Sequence, residues 1–95
     1  MERVKLNVIE KESINNLQFK CSEVLPDITA QQQRQQDLFR GMVLGNAYKN
    51  KVQIVFESLA GLNVVTTTIW ATTDKNVVLK GGLLIPICSI MKVIC

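Results

Sequence analysis

The stretch Val77–Val93, VVLKGGLLIPICSIMKV, decides the fold. It is apolar along its length, yet Gly81-Gly82, Pro86 and Ser89 interrupt it at short intervals. Paired glycines supply the positive φ values of a tight hairpin, so VVLK and LLIPI read as two strands joined by a turn. Pro86 has no N–H to give to a sheet, which places LLIPI at an edge or puts Pro86 at the strand's end. Ile87, Ile90 and Val93 recur every third residue, a spacing that fits one tight helical turn followed by a last short strand, IMKVI. Strand, turn, strand, helical turn and strand make the closing half of a small β-barrel.

Working back from there, TDKN (Thr73–Asn76) is a turn in which Asp74 and Asn76 are placed to bond their own backbone. LNVVTTTIWATT (Leu62–Thr73) is a β-branched strand long enough to bend and serve two sheets. In KVQIVFES (Lys51–Ser58), Val52, Ile54 and Phe56 alternate with Lys51, Gln53 and Glu57, and SLAG (Ser58–Gly61) is the hairpin loop that follows. The barrel therefore occupies residues 51–95.

The segment before it, PDITAQQQRQQDLFRGMVLGNAYKNK (Pro26–Lys51), reads as one helix from about Ala30 to Leu44, or 29–45 with its ends. Thr29 and Gln32 form a capping box, Leu38, Phe39, Met42 and Val43 follow helical spacing, and Gly45-Asn46 supplies the stop. Its first turns, AQQQRQQD, are polar on almost every face, as in a solvated helix end or a surface for a polar partner. Residues 1–25 read as an N-terminal extension of two weak strands, or else an irregular arm. Val4, Leu6 and Val8 share one face of the first strand, and Leu17, Phe19 and Cys21 share one face of the second, with EKESINN between them. The whole is a single domain, mainly β with one helix.

Composition narrows the function classes. At 47% hydrophobic and 20% charged the chain has the means to fold, and with five aromatics its core is aliphatic. No apolar run is long enough for a membrane helix and the first twenty residues are charged, so neither an anchor nor a signal peptide is expected. Three unclustered cysteines (Cys21, Cys88, Cys95) and no histidine suggest neither a disulfide framework nor a zinc site. A reduced, cytoplasmic protein is the expectation, with Cys88 in the core and Cys95 exposed. The net charge of +3 is uneven. Residues 1–30 hold four Lys/Arg against five Asp/Glu, whereas residues 31–95 hold seven against three. The basic second half suits a polyanion.

At the level of element order, residues 30–94 resemble the Sm-like barrels, the Hfq type included, and the related SH3-type barrels. TDKNVVLK (Thr73–Lys80) is similar to the Sm turn and strand, in which an Asp precedes a hydrophobic strand, and LIPICSIMKV to the region of its last two strands. GLLIPICSIMKV is also similar to the sheet endings of WYL-type sensor domains. The resemblance implies a five-stranded barrel capped by the helix. It does not carry over the Sm RNA site. Val78 stands where the uridine-contacting Asn would fall, and Ile85-Pro86-Ile87-Cys88 holds neither the Arg-Gly nor the Tyr-Lys-His signature.

Catalysis is not expected. The acids are scattered, no histidine is present to act as a base, and Gly81-Gly82 join two strands where a phosphate loop would open a helix. No catalytic residue, metal or cofactor is assigned. A binding module remains. Trp70 is either a core residue or an outward stacking platform, and Lys75 and Lys80 at strand ends, with Lys49 and Lys51 after the helix, would supply cations for a nucleic-acid backbone. The same lysines also serve simply to guard strand edges. RNA or another polyanion is thus the first partner class. A protein partner with no nucleic acid involved is the alternative, and free strand edges suit a homo-oligomer.

Overall fold

A computed structural model describes residues 6–19, 22–59 and 61–95. The elements in chain order are β1 (Leu6–Ile9), a 3-10 turn (Lys11–Asn16), α1 (Ile28–Tyr48), β2 (Val52–Ser58), β3 (Gly61–Thr67), β4 (Ile69–Thr72), β5 (Asn76–Leu79), β6 (Leu84–Pro86), a second 3-10 turn (Ile87–Ser89) and β7 (Ile90–Ile94). They form a mixed α+β fold of one helix and two sheets, ordered β1-β3-β2-β7 and β4-β5-β6. The closed five-stranded barrel expected from the sequence is not formed among the described residues, because β6 and β7 do not pair and remain sheet edges.

The long strand divides as expected. It breaks at Thr68, so that β3 lies in the first sheet and β4 in the second. Its inward side continues unchanged across the break: Asn63, Val65, Thr67 and Ile69 are all buried. Alternation in β2 buries Val52, Ile54 and Phe56 against them. Val77, Leu79, Ile85, Ile90 and Val93 complete an aliphatic core from the closing half of the chain. Gly81 and Gly82 take φ values of +92° and +82°, as the hairpin required. Pro86 ends β6 on a sheet edge, and the turn Ile87–Ser89 follows it.

Three local readings change. The Thr73–Asn76 turn is held by the Thr73 hydroxyl, which accepts from Asn76 N at 3.0 Å and donates to Asn76 O at 3.1 Å. The helix is longer at both ends than 30–44. Asp27 is its N-cap, accepting from Thr29 N at 3.0 Å, in place of the Thr29–Gln32 box. It runs through Gly45-Asn46 to Tyr48 and stops where Lys49 turns left-handed (φ 56°, ψ 29°). Cys88, read as core, is half-buried.

Gly45 is needed for packing, not termination. Arg34, Leu38, Gly41 and Gly45 form the inward stripe of α1, which packs against β4 and β7. A Cβ on Gly45 would lie 2.5 Å from the Ile69 carbonyl oxygen, and one on Gly41 would lie 3.0 Å from the Ile69 Cδ1 methyl.

The N-terminal residues bend the simple pattern. β1 pairs in parallel with β3, Leu6 opposite Leu62 and Ile9 opposite Val65. The face expected to be buried is turned outward: Leu6 and Val8 are exposed, and Ile9 is the residue that packs on the core. Val4 lies outside the described residues. The connection EKESINN coils into the first 3-10 turn and drives Ile14 fully into the core. Of the second expected strand the described residues form only the bridge Phe19–Ser58, with Phe19 against Phe56 (ring centroids 5.6 Å apart); Cys21 lies outside the described residues.

Residues 22–27 then fold back over the helix. Gln31 Nε2 donates to Leu25 O at 2.7 Å. Arg34, although part of the polar run, is 6% exposed and grips the Glu23 carboxylate with both terminal nitrogens, at 2.7 and 2.5 Å. Arg34 Nη1 also donates to Ile90 O at 2.9 Å, which ties the helix to β7, while its Nε is buried without a partner among the described residues. The forked hydrogen bond holds the Glu23 carboxyl below its ordinary value of 4.5.

This packing can be tested at two points. Gly45→Ala gains about 1 kcal/mol of helix propensity but meets a backbone oxygen that cannot move aside, so it is expected to destabilise by about 1–3 kcal/mol net. Gly41→Ala faces only a side-chain methyl and should fall within about 1 kcal/mol of wild type; urea midpoints of the two variants check this. Because the folded pKa of Glu23 is depressed, its contribution is fully present above about pH 4.5 and is lost as pH falls through the folded value. Glu23→Gln should therefore unfold at lower urea than wild type at pH 7, by about 1–3 kcal/mol, and the gap should close in acid.

Candidate nucleic-acid interface

The geometry is centred on Thr68, the residue between β3 and β4. β2 and β3 pair with Val52 opposite Thr67, so the preceding residue, Lys51, comes level with Thr68 on one side. On the other side Lys80 N donates to Thr68 O at 2.9 Å. Two lysines far apart in sequence thus flank one threonine. Thr68 itself is buried, with its methyl against the backbone of Gly45.

Two residues on, Trp70 follows the buried Ile69 and stands on the outward side of the strand, at an irregularity of the sheet. Ile69 pairs with Leu79 and Ala71 with Val78, which leaves Trp70 as the extra residue of a β-bulge. Its side chain is 48% exposed, resolving the two sequence readings in favour of the outer face. The helix closes the arrangement from above. With no Cβ at Gly45, the last turns of α1 approach β4 closely enough for Asn46 Nδ2 to donate to Trp70 O at 3.3 Å. Lys49 follows at the left-handed cap.

The outcome is a cleft of about 370 Å³ lined by Gly45, Asn46, Lys49, Lys51, Thr68, Trp70 and Lys80. Four of the five residues singled out from the sequence share it. The fifth, Lys75, does not. It lies in the turn before β5 and lines a separate cleft with Glu23, Arg34 and Asp74. Among the described residues no carboxylate lines the Trp70 cleft and none of its lysines is in an ion pair. Asn46 has no sequence signal beyond its place after Gly45, where it reads as part of the helix stop.

Chemically, the cleft offers one aromatic surface, three ammonium groups and an amide. Among the described residues no group of three or more Cys, Asp or Glu side chains is close enough to hold a metal, and no helix is long and apolar enough to cross a membrane. Compared with known proteins, the chain matches no protein-family model, no curated protein and no solved structure.

Trp70 is the chain's single tryptophan, so its fluorescence reports this cleft alone. Iodide should quench it more strongly than caesium, because the lysines concentrate anions around the ring. The difference should shrink as inert salt is added and the charges are screened.

Proposed function

We propose that this protein is a small non-enzymatic binding module that takes RNA or another polyanionic strand in the Trp70 cleft. The observation that carries the reading is the meeting of Lys49, Lys51 and Lys80 around a half-exposed tryptophan, with no acid in the lining among the described residues. Cations bind phosphates and an aromatic face stacks a base of any identity, the combination by which single strands are held without sequence readout. In this reading the chain from β2 to β7 is an opened relative of the Sm/SH3-type barrels. Its order β7-β2-β3, continuing through Thr68 into β4-β5-β6, supports that kinship. The ligand site differs from the Sm one, in keeping with Val78 at the uridine-contacting position.

A protein-binding module without nucleic-acid affinity is the second reading, and one observation favours it. Phe39, 61% exposed, and Val43 lie along an outward groove of α1 with Gln35, Gln36 and Arg40. A homo-oligomer fits either reading through the edge strand β6, where Leu84 is half exposed.

Fluorescence anisotropy of a short mixed-sequence single-stranded RNA separates the two. Engagement of three lysines predicts that log affinity falls with log salt at a slope of about −2, since each neutralised phosphate of a single strand contributes about −0.7. Lys49→Gln, Lys51→Gln or Lys80→Gln should each make the slope shallower by about 0.7. Trp70→Ala should lose about 1–3 kcal/mol, and Lys75→Gln should change little. No binding at low salt overturns the nucleic-acid reading in favour of the protein-binding one.

A further inference from the structure

The guanidinium of Arg34 carries its N–H donors, five in all, in one plane. The Glu23 carboxylate takes one from each terminal nitrogen, and Ile90 O takes the other from Nη1. The two that remain, on Nε and Nη2, have no acceptor among the described residues. They lie side by side along one edge of the plane, a fork that fits the two oxygens of a carboxylate. That edge faces away from both Glu23 and β7. Because the side chain is 6% exposed, its unmet donors are costly where they stand.

Two clefts border Arg34. The one that holds Lys75 is lined by Glu23 as well. The other, about 470 Å³, has neither Glu23 nor any residue of β7 in its lining. Helix α1 forms one wall of it, with Gln32 and Gln35 exposed there, and Thr72–Asp74 form the facing wall. Among the described residues Arg34 and Asp74 are the charged groups of this lining, one of each sign, and Asp74 is in no ion pair.

We infer that this cleft binds a free α-amino acid, its carboxylate on the open edge of Arg34 and its ammonium on Asp74. Charge selects the class. A simple anion would meet two carboxylates, Glu23 and Asp74, around a single guanidinium, and a simple cation would leave the buried donors unmet. A zwitterion answers both, and a free amino acid is one at neutral pH. Gln32 and Gln35 are long, exposed side chains, so the carboxylate reaches the buried edge by side-chain motion alone. Ile28, Leu38 and Ile87 add an apolar part to the lining, which suits an aliphatic side chain such as that of leucine. This site shares no residue with the Trp70 cleft and does not rest on the nucleic-acid reading.

The test is a titration of nitrogen-15-labelled protein with L-leucine at pH 7, followed by NMR. L-Leucine is expected to saturate at up to millimolar concentration, moving the Arg34 Nε–H resonance together with the Thr73 and Asp74 amides. Leucinamide lacks the carboxylate and 4-methylpentanoate lacks the ammonium. Each should bind about tenfold more weakly or worse, the worth of one hydrogen-bonded charge. Asp74→Asn should weaken L-leucine by about tenfold, whereas Lys75→Gln, outside the lining, should leave its affinity unchanged. The absence of a saturable shift with L-leucine overturns the inference, and so does one that leaves Arg34 Nε–H unmoved. Equal binding of either analogue, or an Asp74→Asn protein that binds like wild type, overturns the zwitterion site in the same way.

Discussion

The approach of Gly45 to the Ile69 carbonyl oxygen is the constraint on which the rest of the structure depends. That oxygen lies 2.5 Å from where a Cβ would stand, which leaves no room for any side chain at residue 45. The contact draws the second half of α1 onto β4 and seats Leu38 in the core. It also lets Asn46 reach the Trp70 carbonyl and carries Lys49 to the mouth of the cleft. A helix held farther off by a methyl would still be a helix, but its C-terminal turn would no longer wall a site.

Thr68 has the complementary role within the sheets. The strand changes partners there without changing which side faces inward, so one continuous row of residues from Asn63 to Ile69 feeds a shared core while the backbone serves two sheets. A break of this kind leaves backbone groups to satisfy, and Lys80 N takes one of them. Trp70 follows Ile69 on the outward side, at the bulge. The chain ends that flank the break carry Lys51 and Lys80.

Arg34 links the first part of the chain to the last. Its guanidinium joins Glu23 in the folded-back arm to the Ile90 carbonyl in β7, from the same inward face of the helix that carries Leu38. Burying a guanidinium is costly, and three of its hydrogen bonds offset that cost while Nε remains unmatched. In sequence this residue stands inside AQQQRQQD, a run that looks solvated because helical periodicity counts side-chain polarity and cannot see a carboxylate eleven residues earlier.

The sequence by itself determined the β-rich half. Alternation in Lys51–Ser58, the β-branched run Leu62–Thr73, the paired glycines and Pro86 each act over a few neighbouring residues, and period, turn chemistry and missing N–H groups are local properties. It also marked Lys49, Lys51, Trp70 and Lys80, since strand ends and strand phase can be counted. Only the tertiary structure decided that these four share a cleft and that Lys75 does not, because their meeting depends on register across β2, β3 and β5 and on a close helix–strand approach. The same holds for Gly45, which locally reads as a helix stop and is needed instead for contact with a strand more than twenty residues away. It holds for Leu6 and Val8 too. Alternation assigns residues to two faces of a strand, but which face is buried depends on what packs there, and the core accepted Ile9 and Ile14 in their place.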